Sequence, residues 1–169
     1  MEIKEVRLIL GDQLYEGHSW FEKVRPEVLY LMMEVRSETD YVSHHIQKVI
    51  AFFAAMRAFA AHLSAQGHKI LYLGLDDPKN KQSFGENLMW VLDENPEAAW
   101  AYQLPDEYRL DQLFMELSSQ FKVSSRRVDT EHFLCERGVV KDFFVGKKQY
   151  LLESFYRHLR KETGLLMQG

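Results

Sequence analysis

Apolar runs of strand length alternate with segments of helical period along most of this chain, and that alternation restricts the fold more than any other feature. Val6–Leu10 is a short apolar run stopped by Gly11-Asp12. Val28–Val35 is a second, followed by the polar stretch Arg36-Ser37-Glu38-Thr39-Asp40. The period then changes: Ile46, Val49, Ile50, Phe53, Met56, Ala60 and Leu63 recur at spacings of three and four, an amphipathic helix closed by Gly67. Phe52 and Phe59 fall on a neighbouring face, so more than one side of this helix is expected to be covered. Lys69–Leu75 reads as a third strand, Ala98–Leu104 as a fourth and Lys122–Val128 as a weaker fifth.

Between the later strands lie two further helices. Ser83 can cap one running to about Asp93, with Glu86 completing a capping box. Asp106 opens another, whose apolar stripe includes Leu110, Leu113, Phe114 and Leu117. Strands alternating with helices predict a parallel sheet covered on both faces. Right-handed crossovers make the leading architecture an α/β, Rossmann-like doubly wound parallel sheet of about five strands. The sheet is expected to end near residue 130. Residues 1–130 would then form the α/β domain and 131–169 a helical linker, with one or two basic C-terminal helices from about Arg137 to Leu166.

A chain of 169 residues is enough for one ordinary domain. It contains a single cysteine, Cys135, which precludes an intramolecular disulfide and a four-cysteine cluster, and which reads as a buried small hydrophobe. The lone thiol and an opening Met-Glu-Ile-Lys-Glu without an apolar signal segment point to the cytoplasm. No stretch is read as approaching the apolar length that spans a bilayer, so no membrane is expected as a partner. The net charge of −4 is uneven: residues 1–121 carry 11 basic and 19 acidic side chains, residues 122–169 carry 10 and 6. A basic tail of that size fits an acidic partner surface as well as it fits nucleic acid.

In open α/β sheets, ligands bind beyond the carboxyl ends of the strands, where strand order reverses. The loops at that edge carry Gly11, Asp12 and Gln13 after strand one, Glu34, Val35 and onward to Tyr41 after strand two, and Asp76-Asp77 after strand three. The glycine-rich loops that wrap phosphates are missing, so a neutral ring system with many hydrogen-bonding edges suits this edge better than a nucleotide. Tyr41, His44, His45 and Lys48 stand at i, i+3, i+4 and i+7, which predicts one polar stripe at a helix N-terminus. Such a stripe can stack a heterocycle and donate hydrogen bonds to it, or it can be a solvated first turn. Adjacent helical histidines point about 100° apart and do not share one metal ion. Asp12 serves equally as ligand contact or turn former. Glu34 is either a ligand contact or an ion-pair partner of Arg36 or Lys48, and Asp76-Asp77-Pro78 is either an acidic pocket wall or, as Asp-Pro favours, ordinary turn chemistry.

Laid out in order, these residues resemble a known family. Leu8-Ile9-Leu10-Gly11-Asp12-Gln13-Leu14 is similar to the opening of the deoxyribodipyrimidine photolyase-related proteins, the iron–sulfur bacterial cryptochromes and (6-4) photolyases. So are Glu34-Val35-Arg36, Tyr41-Val42, His44-His45, Lys48, and Ala55-Met56-Arg57 with Phe59-Ala60. Leu75-Asp76-Asp77-Pro78, Phe133-Leu134-Cys135, Gly146-Lys147-Lys148-Gln149, Phe155-Tyr156-Arg157 and Gly164-Leu165-Leu166-Met167 follow in the family's order.

The resemblance implies an N-terminal antenna domain that binds 6,7-dimethyl-8-ribityllumazine, a light-harvesting chromophore. It also implies a helical domain, outside this chain, that holds FAD and a four-cysteine [4Fe-4S] cluster. It further implies that DNA photorepair or blue-light sensing belongs to the whole flavoprotein, that this chain is itself non-catalytic, and that DNA is met only through the helical domain. On that view the chain is a fragment, a truncated product or half of a two-chain system. Chromophore contacts are expected from Gly11, Asp12, Gln13, Glu34, Val35, Tyr41, His44, His45 and Lys48. Phe143, Phe144, Tyr150, Phe155 and Tyr156 are expected to be surface that the helical domain covers, with homodimerisation as a consequence when it is absent. Two rivals stand beside this reading: a stand-alone Rossmann-like small-molecule-binding domain, and a protein-interaction module.

Overall fold

In a computed structural model that describes residues 2–167, five strands form one sheet in the order β3-β2-β1-β4-β5, every neighbouring pair parallel. The strands are β1 (Glu5–Leu8), β2 (Val28–Met33), β3 (Lys69–Leu73), β4 (Ala99–Gln103) and β5 (Ser125–Val128). The helices are α1 (Arg36–Thr39), α2 (Ile46–Ala65), α3 (Phe84–Asp93), α4 (Tyr108–Gln120), α5 (Arg137–Phe144) and α6 (Leu152–Thr163), with a 3-10 turn at Ser19–Phe21. This is the Rossmann-like arrangement that the alternation predicts, with helices following the sheet at the C-terminal end. By internal contacts the chain divides into two compact units, Met1–Thr130 and Glu131–Gly169.

Each strand sends alternate residues to opposite faces, and two apolar cores result. On one face Val6, Leu8, Leu31, Leu73, Trp100 and Tyr102 pack with α3 and α4 through Leu88, Val91, Leu110, Phe114 and Leu117. Trp100 stacks on Tyr102 at 4.9 Å, and Phe114 meets both rings edge-on. On the other face Tyr30, Met32 and Ile9 pack with the 3-10 turn and with Met56, Ala60 and Leu63 of α2. Gln13, fully buried, ties β1 to β4: its Oε1 accepts from the Leu10 N–H, and its Nε2 donates to the Gln103 and Leu104 carbonyls at 3.2 and 3.4 Å.

Three expectations need correction within this unit. The apolar stripe of α2 is buried only in its second half, because its first turns run past the sheet: Ile46 and Ile50 are 64% and 60% exposed. Ser83 sits at the N-cap of α3, yet its side chain makes no capping bond, so the predicted capping box does not form. And α2 is, by length and composition alone, long and apolar enough to cross a membrane.

In the second unit, Phe144 and Phe155 are buried, contrary to the expectation of exposed rings, because they cluster with Phe143 and His158. Tyr150 and Tyr156 are exposed, and Cys135 is only half-buried. The last helix ends where Gly164 adopts φ 69°, a left-handed conformation that a side chain would strain.

Candidate functional site

A cavity of about 260 Å³ opens at the carboxyl edge of the sheet, beside β1, where strand order reverses between β1 and β4. Its floor is Leu10, Gly11 and Asp12 after β1, with Met33 and Val35 at the end of β2. One wall is α2, through Lys48, Val49, Phe52, Phe53 and Met56. A second is the segment from Glu38 through Thr39 and Tyr41 to His44, and a third is Phe84 with Glu107 and Leu110. The walls are mostly apolar and aromatic, and the charged groups sit among them at a few points, the usual make-up of a small-molecule site.

Gly11 lies in close approach to α2. A Cβ there would overlap Phe52 Cε1 and lie 2.8 Å from Met56 Sδ, so a side chain at this position requires the Phe52 ring and the Met56 thioether to shift.

The cavity brings together six of the residues singled out from sequence: Gly11, Asp12, Val35, Tyr41, His44 and Lys48. Gln13, Glu34 and His45 lie outside its lining. The expected helical stripe is also not helical: α2 begins at Ile46, with Tyr41 and His44 in the approach to it. His45 is the N-cap, its Nδ1 accepting from the Gln47 N–H at 3.2 Å. Tyr41 and His44 still meet, edge to face at 5.3 Å, and Lys48 Nζ stands 3.5 Å from His44 Nδ1.

Glu34 has partners that sequence spacing did not suggest. Neither Arg36 nor Lys48 pairs with it. Arg57 donates to both oxygens at 2.6 and 2.8 Å, the Tyr72 hydroxyl donates at 2.5 Å and the Leu75 N–H at 2.9 Å. Burial pushes this carboxyl up, but the four donated hydrogen bonds outweigh it and hold Glu34 below the usual carboxylate range. Its backbone carbonyl accepts from Asn80 Nδ2 at 2.6 Å, and Asn80 Oδ1 accepts from Asn87 of α3 at 2.9 Å. The network fixes the end of β2 against α2, β3 and α3 from behind the cavity.

Glu38, Glu107 and Arg109 carried no signal in the sequence pattern. Arg109 Nη2 donates to both Glu38 oxygens at 3.0 and 2.9 Å, its Nε donates to Glu107 at 2.8 Å, and the guanidinium lies 4.4 Å over the Tyr41 ring. Burial pushes the Glu38 carboxyl up. Arg109 pulls it down, the nearby Glu107 and Asp12 push it up again, and the balance is above the ordinary range. Among the described residues no group of three His, Cys, Asp or Glu side chains is placed to hold a metal ion.

The sequence profile of the family described as "Deoxyribodipyrimidine photo-lyase-related protein" matches residues 7–169. A curated relative, "(6-4) photolyase" of Agrobacterium fabrum (strain C58 / ATCC 33970), is 30% identical over 168 residues, 99% of this chain and 33% of the relative. The chain thus spans about a third of the length of the curated relative it matches. With a family profile covering nearly its full length and a sheet of the kind the motifs foretold, the chain belongs to the deoxyribodipyrimidine photo-lyase-related protein family.

Proposed function

We propose that this chain is the light-harvesting, chromophore-binding domain of a photolyase- or cryptochrome-related flavoprotein, and that its cavity takes 6,7-dimethyl-8-ribityllumazine. The observation that carries the reading is the ring-walled cavity at the switch point of a sheet in a photolyase-related chain. Tyr41, Phe52 and Phe53 offer faces and edges for a bicyclic heterocycle, while Asp12, Thr39, His44 and Lys48 offer donors and acceptors for its polar edge and for a ribityl chain. When bound, the chromophore would supply light absorption and transfer of excitation to a flavin. The protein's own part is to hold the ring rigidly, keep water from it and fix its direction.

FAD and a [4Fe-4S] cluster do not fit here: one cysteine cannot furnish four thiolates, and the sequence has no phosphate-wrapping glycine loop. Both belong, in this reading, to a flavin-binding helical domain on the same or a separate chain. DNA would be engaged through that domain, in a cytoplasmic bacterial protein serving DNA repair or blue-light sensing.

Titration of lumazine fluorescence tests the reading. The native chain should bind, and Tyr41→Ala should weaken binding about threefold to tenfold, the worth of one aromatic contact. Gly11→Ala, which displaces the cavity-lining side chains Phe52 and Met56, should weaken it as well. No binding at millimolar protein would sink the chromophore assignment. Unchanged affinity in both variants would move the site elsewhere.

A further inference from the structure

Arg109, in the first turn of α4, joins two pieces of chain that border the cavity. It holds Glu38 with both oxygens engaged, holds Glu107, and covers the Tyr41 ring. Glu38 and Tyr41 belong to the stretch between β2 and α2, which is the one cavity wall built from neither strand nor long helix. Within that stretch α1 is a single turn whose N-cap, Val35, makes no side-chain bond. A helix of four residues does not hold its own shape in water, so its position depends on what grips it from outside. Two of its polar contacts are internal, Arg36 to Asp40 at 3.0 Å and the Thr39 hydroxyl to the Arg36 carbonyl at 3.2 Å. From outside, Gln82 Oε1 accepts from the Arg36 N–H at 3.3 Å, and Arg109 grips the opposite end.

We infer that Arg109 is the positioning residue of the cavity: it pins α1 and Tyr41 as a closed wall, and a ligand enters or leaves by loss of the Arg109–Glu38 clamp. The charges favour this arrangement. Glu38 and Glu107 both rest on the guanidinium, and Asp12 adds like charge close to Glu38. Without Arg109, Glu38 and Glu107 repel one another across the gap between α1 and the start of α4, and the easiest piece to move is α1. A lysine keeps the charge but lacks the planar fork that engages two carboxylates at once, so it should hold the wall only in part. The inference stands on the cavity alone and draws on the chromophore reading only for the ligand used in its second arm.

Hydrogen exchange on the full chain without ligand is the first arm. Arg109→Ala should speed amide exchange in residues 36–45 about fivefold or more, with β2 and α3 exchanging as in the native chain. Arg109→Lys should fall between the two. Adding Glu38→Gln to Arg109→Ala should restore part of the lost protection, since one of the crowded charges is then gone; a purely steric role for Arg109 predicts no such rescue. The second arm measures dissociation of bound 6,7-dimethyl-8-ribityllumazine by stopped flow, expected to quicken about fivefold in Arg109→Ala. Native exchange in residues 36–45 of Arg109→Ala, or acceleration spread evenly over the sheet, overturns the inference. Failure of the native chain to bind lumazine removes the chromophore assignment and leaves the exchange arm to decide on Arg109.

Discussion

Arg57, on the solvent side of α2, closes a two-pronged ion pair over Glu34, whose side chain is 0% exposed, with N–O distances of 2.6 and 2.8 Å. The pair is one-sided: the cation keeps 59% of its surface in water while the anion has none. Arg57→Ala leaves a buried carboxylate supported only by Tyr72 and the Leu75 N–H. We expect a loss of about 2 kcal/mol, below the value for a fully buried pair because solvent already screens the arginine. Urea unfolding of the two proteins at neutral pH measures it.

The same carboxylate gives a pH dependence with a definite sign. Its folded-state affinity for protons is depressed, so its contribution is fully present above the unfolded carboxylate range and disappears as pH falls through the lower, folded value. Glu38 has the opposite shift, so its ionised form opposes folding and its contribution improves as pH falls through its raised value. Unfolding free energy between pH 7 and 3 should therefore fall less steeply in Glu34→Gln than in the native chain. It should fall more steeply in Glu38→Gln.

Two side chains at the start of α3 should behave in opposite ways. Asn87 is fully buried, donates to Asn80 and accepts from the Lys81 N–H at 2.7 Å, so Asn87→Ala removes both bonds, leaves the Lys81 N–H without this acceptor and Asn80 Oδ1 with only the Gln82 N–H, and should cost about 1–3 kcal/mol. Ser83→Ala should fall within about 0.5 kcal/mol of native stability, because its hydroxyl makes no capping bond. Thermal unfolding of both variants checks the contrast. A large effect at Ser83 would mean the cap forms in solution.

Core and surface on the long helices should differ as sharply. Phe114→Ala removes a ring held edge-on by Trp100, Tyr102 and Phe84, and should cost about 3–5 kcal/mol. Ile50→Ser, on the exposed part of α2, should change stability by no more than about 0.5 kcal/mol.

The strands and long helices were legible because burial marks the sequence directly: short apolar runs where β1 to β4 lie between two helical layers, and spacings of three and four along α2 to α4. The edge that carries the cavity followed from strand alternation alone. What was not legible depends on where a helix starts and on who meets whom across the fold. Tyr41, His44, His45 and Lys48 have helical spacing whether or not the helix has begun; His45 ends the ambiguity by capping Gln47, which a periodicity argument cannot see. Glu34 was assigned neighbours in sequence, whereas its arginine is 23 positions away on a helix folded back over the sheet. Arg109 lies 71 positions from Glu38, and nothing local to either residue announces the other. Phe143, Phe144 and Phe155 read as exposed rings because a short basic helix hides the fact that its aromatics cluster.

The order of strands has a consequence for how the chain is made. β1 emerges first and ends in the middle of the sheet, where one side pairs with β2 and the other with β4, its partner residues Glu5 and Ala99 lying 94 positions apart. During synthesis β1, β2 and β3 can assemble while the far edge of β1 stays open, its backbone N–H and C=O groups unpaired. Until residues 99–103 leave the ribosome, the growing chain presents an unpaired parallel strand to whatever else is nearby. The slow, distant pairing of β1 with β4 is thus the step at which a nascent chain would gain most from a chaperone.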